Sequence, residues 1–345
     1  MTEVLKETDF KNLGKKKTGK VRDIYDLGDP STGSGQAILI LVTTDRHSSF
    51  DRIIAHIPSK GQVLNQISAW WFEQTKDIIP NQVLAVPDPN VTVAKKYNMV
   101  PVEAVMRGYL TGVTDTSIWT RYQKGVRDFG GITLPDGMKK NTKLPRPIFD
   151  PTTKEDAHDR AITPEQMIEE GLITKELLEE VRSTATKLFL RGQEVAAKKG
   201  LILVDTKYEF GTDPSTSLGA GDPGKLYLID EIHTPDSSRY WFKDDYDELQ
   251  GEAITSGGAG GSPDASQGEA FREPKSFDKE FLRLWFKENC DPYKDAVLPE
   301  APGELVEELS RRYIRMYEQL TGSSFKQGGE PIAARIERNL SGYAA

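Results

Sequence analysis

Two short stretches of the 345-residue chain crowd acids around one amine: Asp205, Lys207 and Glu209 within Val204–Gly211, then Asp230 and Glu231 after Leu228–Ile229. Alternate residues of an extended segment share a face, so Asp205, Lys207 and Glu209 line up together. The loop between the stretches allows the second to return antiparallel to the first. Glu209 and Asp230 are hard oxygen ligands suited to Mg2+, which completes its shell with phosphate and water oxygens. Lys207, held charged between two acids, can meet an anionic substrate. The competing view is a salt-bridged hairpin, but so many acids beside one cation on one face favour a ligand site.

Four further clusters carry chemistry. Gly19-Lys20-Val21-Arg22-Asp23-Ile24-Tyr25 suits a strand or turn that lays backbone NH groups and cations over a polyphosphate. It lacks the spaced glycines and Lys-Ser/Thr ending of a Walker loop. Thr44–Asp51 masses polar residues, Ser48, Ser49 and Asp51 among them, at the end of the apolar run Ala37–Val42, where sheets offer ligand groups. Lys60-Gly61 adds a cation shortly after. In Glu103–Gly112 an apolar strand runs into Arg107, which can grip phosphate or carboxylate in bidentate fashion, while the backbone of Glu103–Met106 can meet adenine. Ser117, at a helix start slightly downstream, can complete a phosphate site. Arg239, in Thr234–Trp241, is a second candidate anion clamp. His47 and His56 lack metal-binding spacing.

These groups need a mixed α and β scaffold. Val21–Leu27 with Ala37–Val42, and Leu201–Glu209 with Lys225–His233, read as paired strands separated by Gly-rich loops at 29–35 and 211–224. Gln62–Asp77 has helical periodicity, Thr163-Pro164-Glu165-Gln166 is a capping box, and Lys175–Lys199 is a long amphipathic helix stopped by Gly200. Helices near Phe277–Lys287 and Glu304–Leu320 follow. The Gly/Ser-rich segment Thr255–Gln267 offers few apolar anchors and is assigned no chemistry.

Composition narrows the function classes. Forty-five Lys+Arg against 53 Asp+Glu leave a net charge of −8, so no global basic field exists to hold a nucleic acid. The single cysteine, Cys290, excludes an intrachain disulfide and a multi-cysteine zinc cage. No run approaches the roughly 18 apolar residues of a spanning helix, and the N-terminus lacks the apolar core of a secretory signal. A cytoplasmic, non-membrane protein of about two domains is expected.

Taken in order, GKVRDIY at Gly19–Tyr25, TDRHSSFD at Thr44–Asp51, VMRGYLTG at Val105–Gly112, DTKYEFG at Asp205–Gly211 and DEIHTPDSSRYW at Asp230–Trp241 resemble the SAICAR synthetases, phosphoribosylaminoimidazole-succinocarboxamide synthases of purine biosynthesis. The resemblance implies an α+β fold of two lobes: an antiparallel-sheet, kinase-like ATP lobe over residues 1–106 and a larger α+β lobe over 107–345. It implies an ATP-dependent ligase that joins L-aspartate to the carboxylate of the ribonucleotide CAIR. Lys20, Val21 and Arg22 would cover the triphosphate of ATP. Glu103, Val105 and Met106 would hold adenine, and Lys154 would approach the nucleotide. Glu209 and Asp230 would hold Mg2+, and Arg107, Ser117 and Arg239 would grip the CAIR phosphate. Asp205, Lys207 and Asp159 would meet the imidazole and carboxylate of CAIR, with Ser48, Ser49 and Asp51 close to the substrates. The rival readings are an ATP-dependent phosphotransferase and a catalytically silent nucleotide-binding module.

Overall fold

The computed structural model describes residues 3–28, 37–50, 52–154, 160–213, 225–255, 272–277, 280–328 and 331–343. Asp51, Asp159 and most of the loops expected at 29–35, 211–224 and 255–267 lie outside these residues.

The first sheet is antiparallel, in the order Lys15–Thr18, Arg22–Asp26, Ile38–Thr43, Val91–Lys95, Val83–Asp88. Its register sets Tyr25 opposite Ile40 and Ile40 opposite Val93, which makes one continuous apolar row. That row is covered from far along the chain. Ile332, Ile336 and Leu340, spaced for one face of a helix, bring Ile332–Asn339 onto Tyr25, Ile40, Val42, Val91 and Val93. Asp88 locks this contact: Arg335 donates Nε at 2.9 Å and Nη2 at 3.1 Å to its carboxylate, and Asn339 adds a bond of 2.8 Å.

The second sheet is built around the twelve-residue strand Leu201–Thr212. Asn98–Met99 and Val102–Leu110 pair along one edge, Ser238–Phe242 and Leu226–Ile229 along the other, all antiparallel. The helix Lys175–Lys198 buries Leu177, Val181, Leu188 and Phe189 in a core shared with Leu201, Leu203, Tyr208 and Phe210. A register irregularity between Leu203 and Asp205 changes the phase of the strand. Such a bulge re-aims side chains. Here Leu203 stays in the core while Asp205, Lys207 and Glu209 line the opposite face. The helix Lys60–Thr75 joins the same core through Val63, Ile67 and Trp71, against Leu309, Tyr313 and Met316 of Gly303–Thr321.

The capping box at Thr163 forms, with bonds of 3.0 and 3.2 Å to Gln166. The helix expected from Gln62 begins at Lys60, and the one expected near Phe277 spans Glu280–Asn289. The helix Lys243–Thr255 was not anticipated, because its acid-rich sequence with an interior Gly251 shows little apolar periodicity. Among the described residues no helix is long and apolar enough to cross a membrane.

Candidate active site

Strand register brings the chemistry-bearing residues together. Asp205 lies opposite Arg107 on one side and Arg239 on the other, and Lys207 lies opposite Val105. Four side chains then form an alternating lattice. Lys207 Nζ is 2.6 Å from Glu103 Oε1 and 3.5 Å from Glu209 Oε1. Lys154 Nζ is 2.9 Å from the same Glu103 oxygen and also bonds Glu209. Burial alone would raise the Glu103 carboxyl, but the ammonium groups of Lys207 and Lys154 override it and hold it at about 2. Lys207 is raised well above the usual lysine value: burial opposes this, and Glu103, Glu209 and Asp230 outweigh it. Lys207 is therefore a fixed cation at neutral pH, not a base.

The second group closes the lattice from the first sheet. The Gly19–Val21 turn joins Lys15–Thr18 to Arg22–Asp26, with Gly19 N donating to Arg22 O at 2.8 Å and Lys20 exposed. Arg22 reaches across to Asp230 Oδ1 at 2.9 Å and Glu231 Oε2 at 3.0 Å. Asp230 follows Ile229, the register partner of Glu209, and its φ of 63° turns the chain out of the strand. Burial raises the Asp230 carboxyl above its ordinary value; Arg22 opposes this, and the like charge of Glu209 adds to it. Two neighbouring carboxylates that repel each other are a fitting pair for a divalent cation bound also by phosphate. Among the described residues no group of three or more His, Cys, Asp or Glu side chains is arranged to hold a metal without such help.

The third group is an anion end. Arg239 Nη1 bonds Asp205. Arg107 Nε donates to Asp150 Oδ2 at 2.5 Å and Nη2 to Thr116 O at 3.1 Å, while Arg121 holds the same Asp150. Ser117 caps the short helix Ile118–Gln123, and its hydroxyl donates to Thr114 O at 2.7 Å. Gly112, with φ of +102°, packs so closely on Ser117 that a Cβ would fall 2.5 Å from the Ser117 Cβ, so only glycine lets this turn approach. Arg239 Nη2 would lie 3.8 Å from the same Cβ position.

Other residues hold these groups in place. Arg46 donates to Gly19 O at 3.0 Å, Lys6 O at 2.8 Å and Asp23 Oδ1 at 2.8 Å, so it fixes the turn that carries Lys20. Lys60 is fully buried, with Nζ 3.3 Å from Asp236 Oδ1, and ties its helix to the turn before Arg239. Asp45 accepts from Gly61 N and Leu5 N, each at 2.8 Å; burial still lifts its carboxyl to about 6. Ser48 and Ser49 lie on the separate hairpin Arg46–Ser49/Arg52–His56, where Ser49 accepts from Arg283 at 3.2 Å. Val105 and Met106 are interior to the sheet: Asp150 N donates to Val105 O at 2.9 Å, and Met106 faces both Thr206 and Phe149. Asp150, Arg121 and Asp236 were absent from the sequence-derived set. Asp150 and Asp236 stand at strand or turn ends with no local pattern, and only the sheet register shows what they face.

The profile of the SAICAR synthetases covers residues 15–256. The chain belongs to the SAICAR synthetase family. A phosphoribosylaminoimidazole-succinocarboxamide synthase of Legionella pneumophila (strain Paris) is 53% identical over 330 residues, 95% of each chain. A chloroplastic synthase of that name from Arabidopsis thaliana is 51% identical over 325 residues, 94% of this chain and 71% of that one. Among solved structures, SAICAR synthase from Saccharomyces cerevisiae in complex with SAICAR superposes with a TM-score of 0.71 at 29% identity, covering 94% of this chain and all of that one. The α+β fold and the enzyme class, an ATP-dependent ligase of purine biosynthesis, follow from that membership.

Proposed function

We propose that this site joins L-aspartate to the carboxylate of CAIR, giving SAICAR, ADP and phosphate. A carboxylate is a poor electrophile toward an amine. In this reading a CAIR carboxylate oxygen attacks the γ-phosphorus of ATP and ADP leaves. The aspartate amine then attacks the acyl carbon, losing a proton as phosphate departs. The observation that carries this is the row of side chains on Leu201–Thr212, whose Lys207 sits between an anion-gripping end (Asp205, Arg107, Arg239) and an acid pair (Glu209, Asp230).

Lys20, Val21 and Arg22 cover the triphosphate and Lys154 approaches it. Adenine meets the backbone of Glu103–Met106, a strand in which Glu103 pairs with Thr152, Val105 with Lys207 and Met106 with Thr206. Arg107, Ser117 and Arg239 hold the CAIR phosphate and Asp205 meets its imidazole; Asp159, Ser48, Ser49 and Asp51 are assigned to the substrates by the family resemblance alone. Glu209 and Asp230 would hold Mg2+, which supplies charge neutralisation on the phosphates. Lys207 stabilises negative charge as the phosphoryl group transfers, so positioning and electrostatics do most of the work. Residues 1–106 form the nucleotide lobe, 107–345 the larger lobe, and the enzyme works in the cytoplasm.

ADP release with CAIR, with and without L-aspartate, tests the whole reading. Aspartate-dependent ADP formation is expected. ADP formed equally without aspartate would mark a phosphotransferase, and none in either case a silent nucleotide binder.

A further inference from the structure

Asp230 stands in a backbone conformation that its own side chain does not explain. Its φ of 63° lies in the left-handed region, which a residue with a Cβ keeps only where its surroundings hold it. The surroundings here come from the first sheet. Arg22 Nη1 meets the Asp230 carboxylate at 2.9 Å, and Gln82 Nε2 donates to the Asp230 carbonyl at 3.0 Å. Gln82 directly precedes Val83–Asp88, an edge strand of that sheet. It is buried and pinned along its backbone: its N donates to Leu228 O at 3.1 Å, and its O accepts from Lys95 N at 2.8 Å. Leu228 N donates in turn to Pro80 O at 2.9 Å, and Asn81 bridges Leu228 in parallel. Residues 80–82 therefore run beside the end of Leu226–Ile229 as a short splice between the two sheets. The splice ends on an amide directed at the carbonyl of Asp230.

We propose that Gln82 is a positioning residue for the acid pair: it holds Asp230 in its left-handed turn, so that the carboxylate stays beside Glu209. The inference rests on the reading of Glu209 and Asp230 as the metal acids. Ile229 is the register partner of Glu209, so Asp230 lies one residue past the paired strand, where the ladder no longer fixes its direction. Released from Gln82, Asp230 would relax toward negative φ, and its carboxylate would turn away with its Cβ. Gln82 acts through the carbonyl, and its neutral amide adds no charge to the site. Partners of this kind, one step removed from the metal, set how well its ligands are aimed.

Calorimetric titration of ADP into the enzyme, with Mg2+ and with EDTA, tests this beside thermal unfolding and steady-state kinetics. In the parent, Mg2+ is expected to tighten ADP binding. Gln82→Met keeps the length of the side chain and removes its donor. It is expected to shrink that Mg2+-dependent gain about tenfold while ADP binding in EDTA stays within about twofold. The Mg2+ needed for half-maximal rate should rise by a similar factor, with KM for CAIR level. Gln82→Asn, whose shorter side chain leaves the carbonyl unmet, is expected to show the same loss and serves if the methionine variant does not fold. A lower melting temperature with the Mg2+-dependent gain intact would make Gln82 a mere staple between the sheets and overturn the proposal. Asp230→Asn separates the two readings. A gain lost in Asp230→Asn but kept in the Gln82 variants defeats this inference alone. A gain kept in all of them removes Asp230 from the metal site, and this inference falls with it.

Discussion

Two ionic networks of similar composition behave as opposites. Around Asp88 the Arg335 fork, Asn339 Nδ2 and the Asn90 backbone N at 2.8 Å all donate to one buried carboxylate. Around Glu103 and Glu209, two lysines share two acids, and each acid has more than one cation. The first network has one satisfied arrangement. The second stays close to neutral if one member turns toward a substrate. A saturated buried pair fixes a fold, while a shared lattice keeps charges ready for exchange.

The sharpest way to break this contrast is Arg335→Met. Leaving Asp88 buried and unpaired is expected to cost about 3–5 kcal/mol of stability in chemical denaturation, while kcat/KM of the folded fraction stays within about twofold. A large loss of activity with unchanged stability would put Asp88 in the wrong class. Lys207→Met should do the reverse. Because Lys154 still bridges Glu103 and Glu209, the melting temperature should hold, whereas kcat falls about 100- to 1,000-fold. Parallel loss of both would show that the lattice is merely structural.

Asp45 sharpens the comparison through pH. Its folded carboxyl lies near 6, above its ordinary 3.8, so the stability it contributes is full below pH 3.8 and lost as pH rises through 6. That interval corresponds to about 3 kcal/mol. Relative to the parent, Asp45→Asn should therefore gain stability between about pH 4 and pH 6 and level off above that; a flat difference from pH 4 to pH 6 would refute burial as the cause. A metal titration of Asp230→Asn should need about 10- to 100-fold more Mg2+ for half-maximal rate. Unchanged Mg2+ dependence would remove Asp230 from the metal site. The smallest effect is expected from Arg107→Lys, where charge survives and fork geometry does not: KM for CAIR should rise about tenfold or less and KM for ATP should stay level. Weaker ATP binding would reassign Arg107 to the nucleotide.

What was legible in the sequence follows from where each signal lives. The shared face of Asp205, Lys207 and Glu209 could be read because strand alternation is local. The helix at Lys60–Thr75 and the capping box at Thr163 were legible for the same reason. The bulge after Leu203, which sends those three side chains away from the core, has no such signature. Nor do Asp150 and Arg121, 29 residues apart, or Lys60 and Asp236, whose pairing depends on how a helix meets a turn. Arg46 lies in a motif read as ligand-binding, and it donates to the carbonyls of Gly19 and Lys6 and to Asp23, contacts that no local pattern announces.

The helix over the first sheet has a consequence for the order in which the protein can be made. Tyr25, Ile40 and Val93 are synthesised early, but Ile332, Ile336 and Leu340, which cover them, come more than 200 residues later. At translation rates of roughly 5–20 residues per second, that apolar row waits on the order of tens of seconds without its partner. During that interval the growing chain carries a half-covered sheet, which makes it a natural client for a holding chaperone. A ribosome stalled before residue 332 should release a product that aggregates, even though every residue of the proposed active site has already been translated.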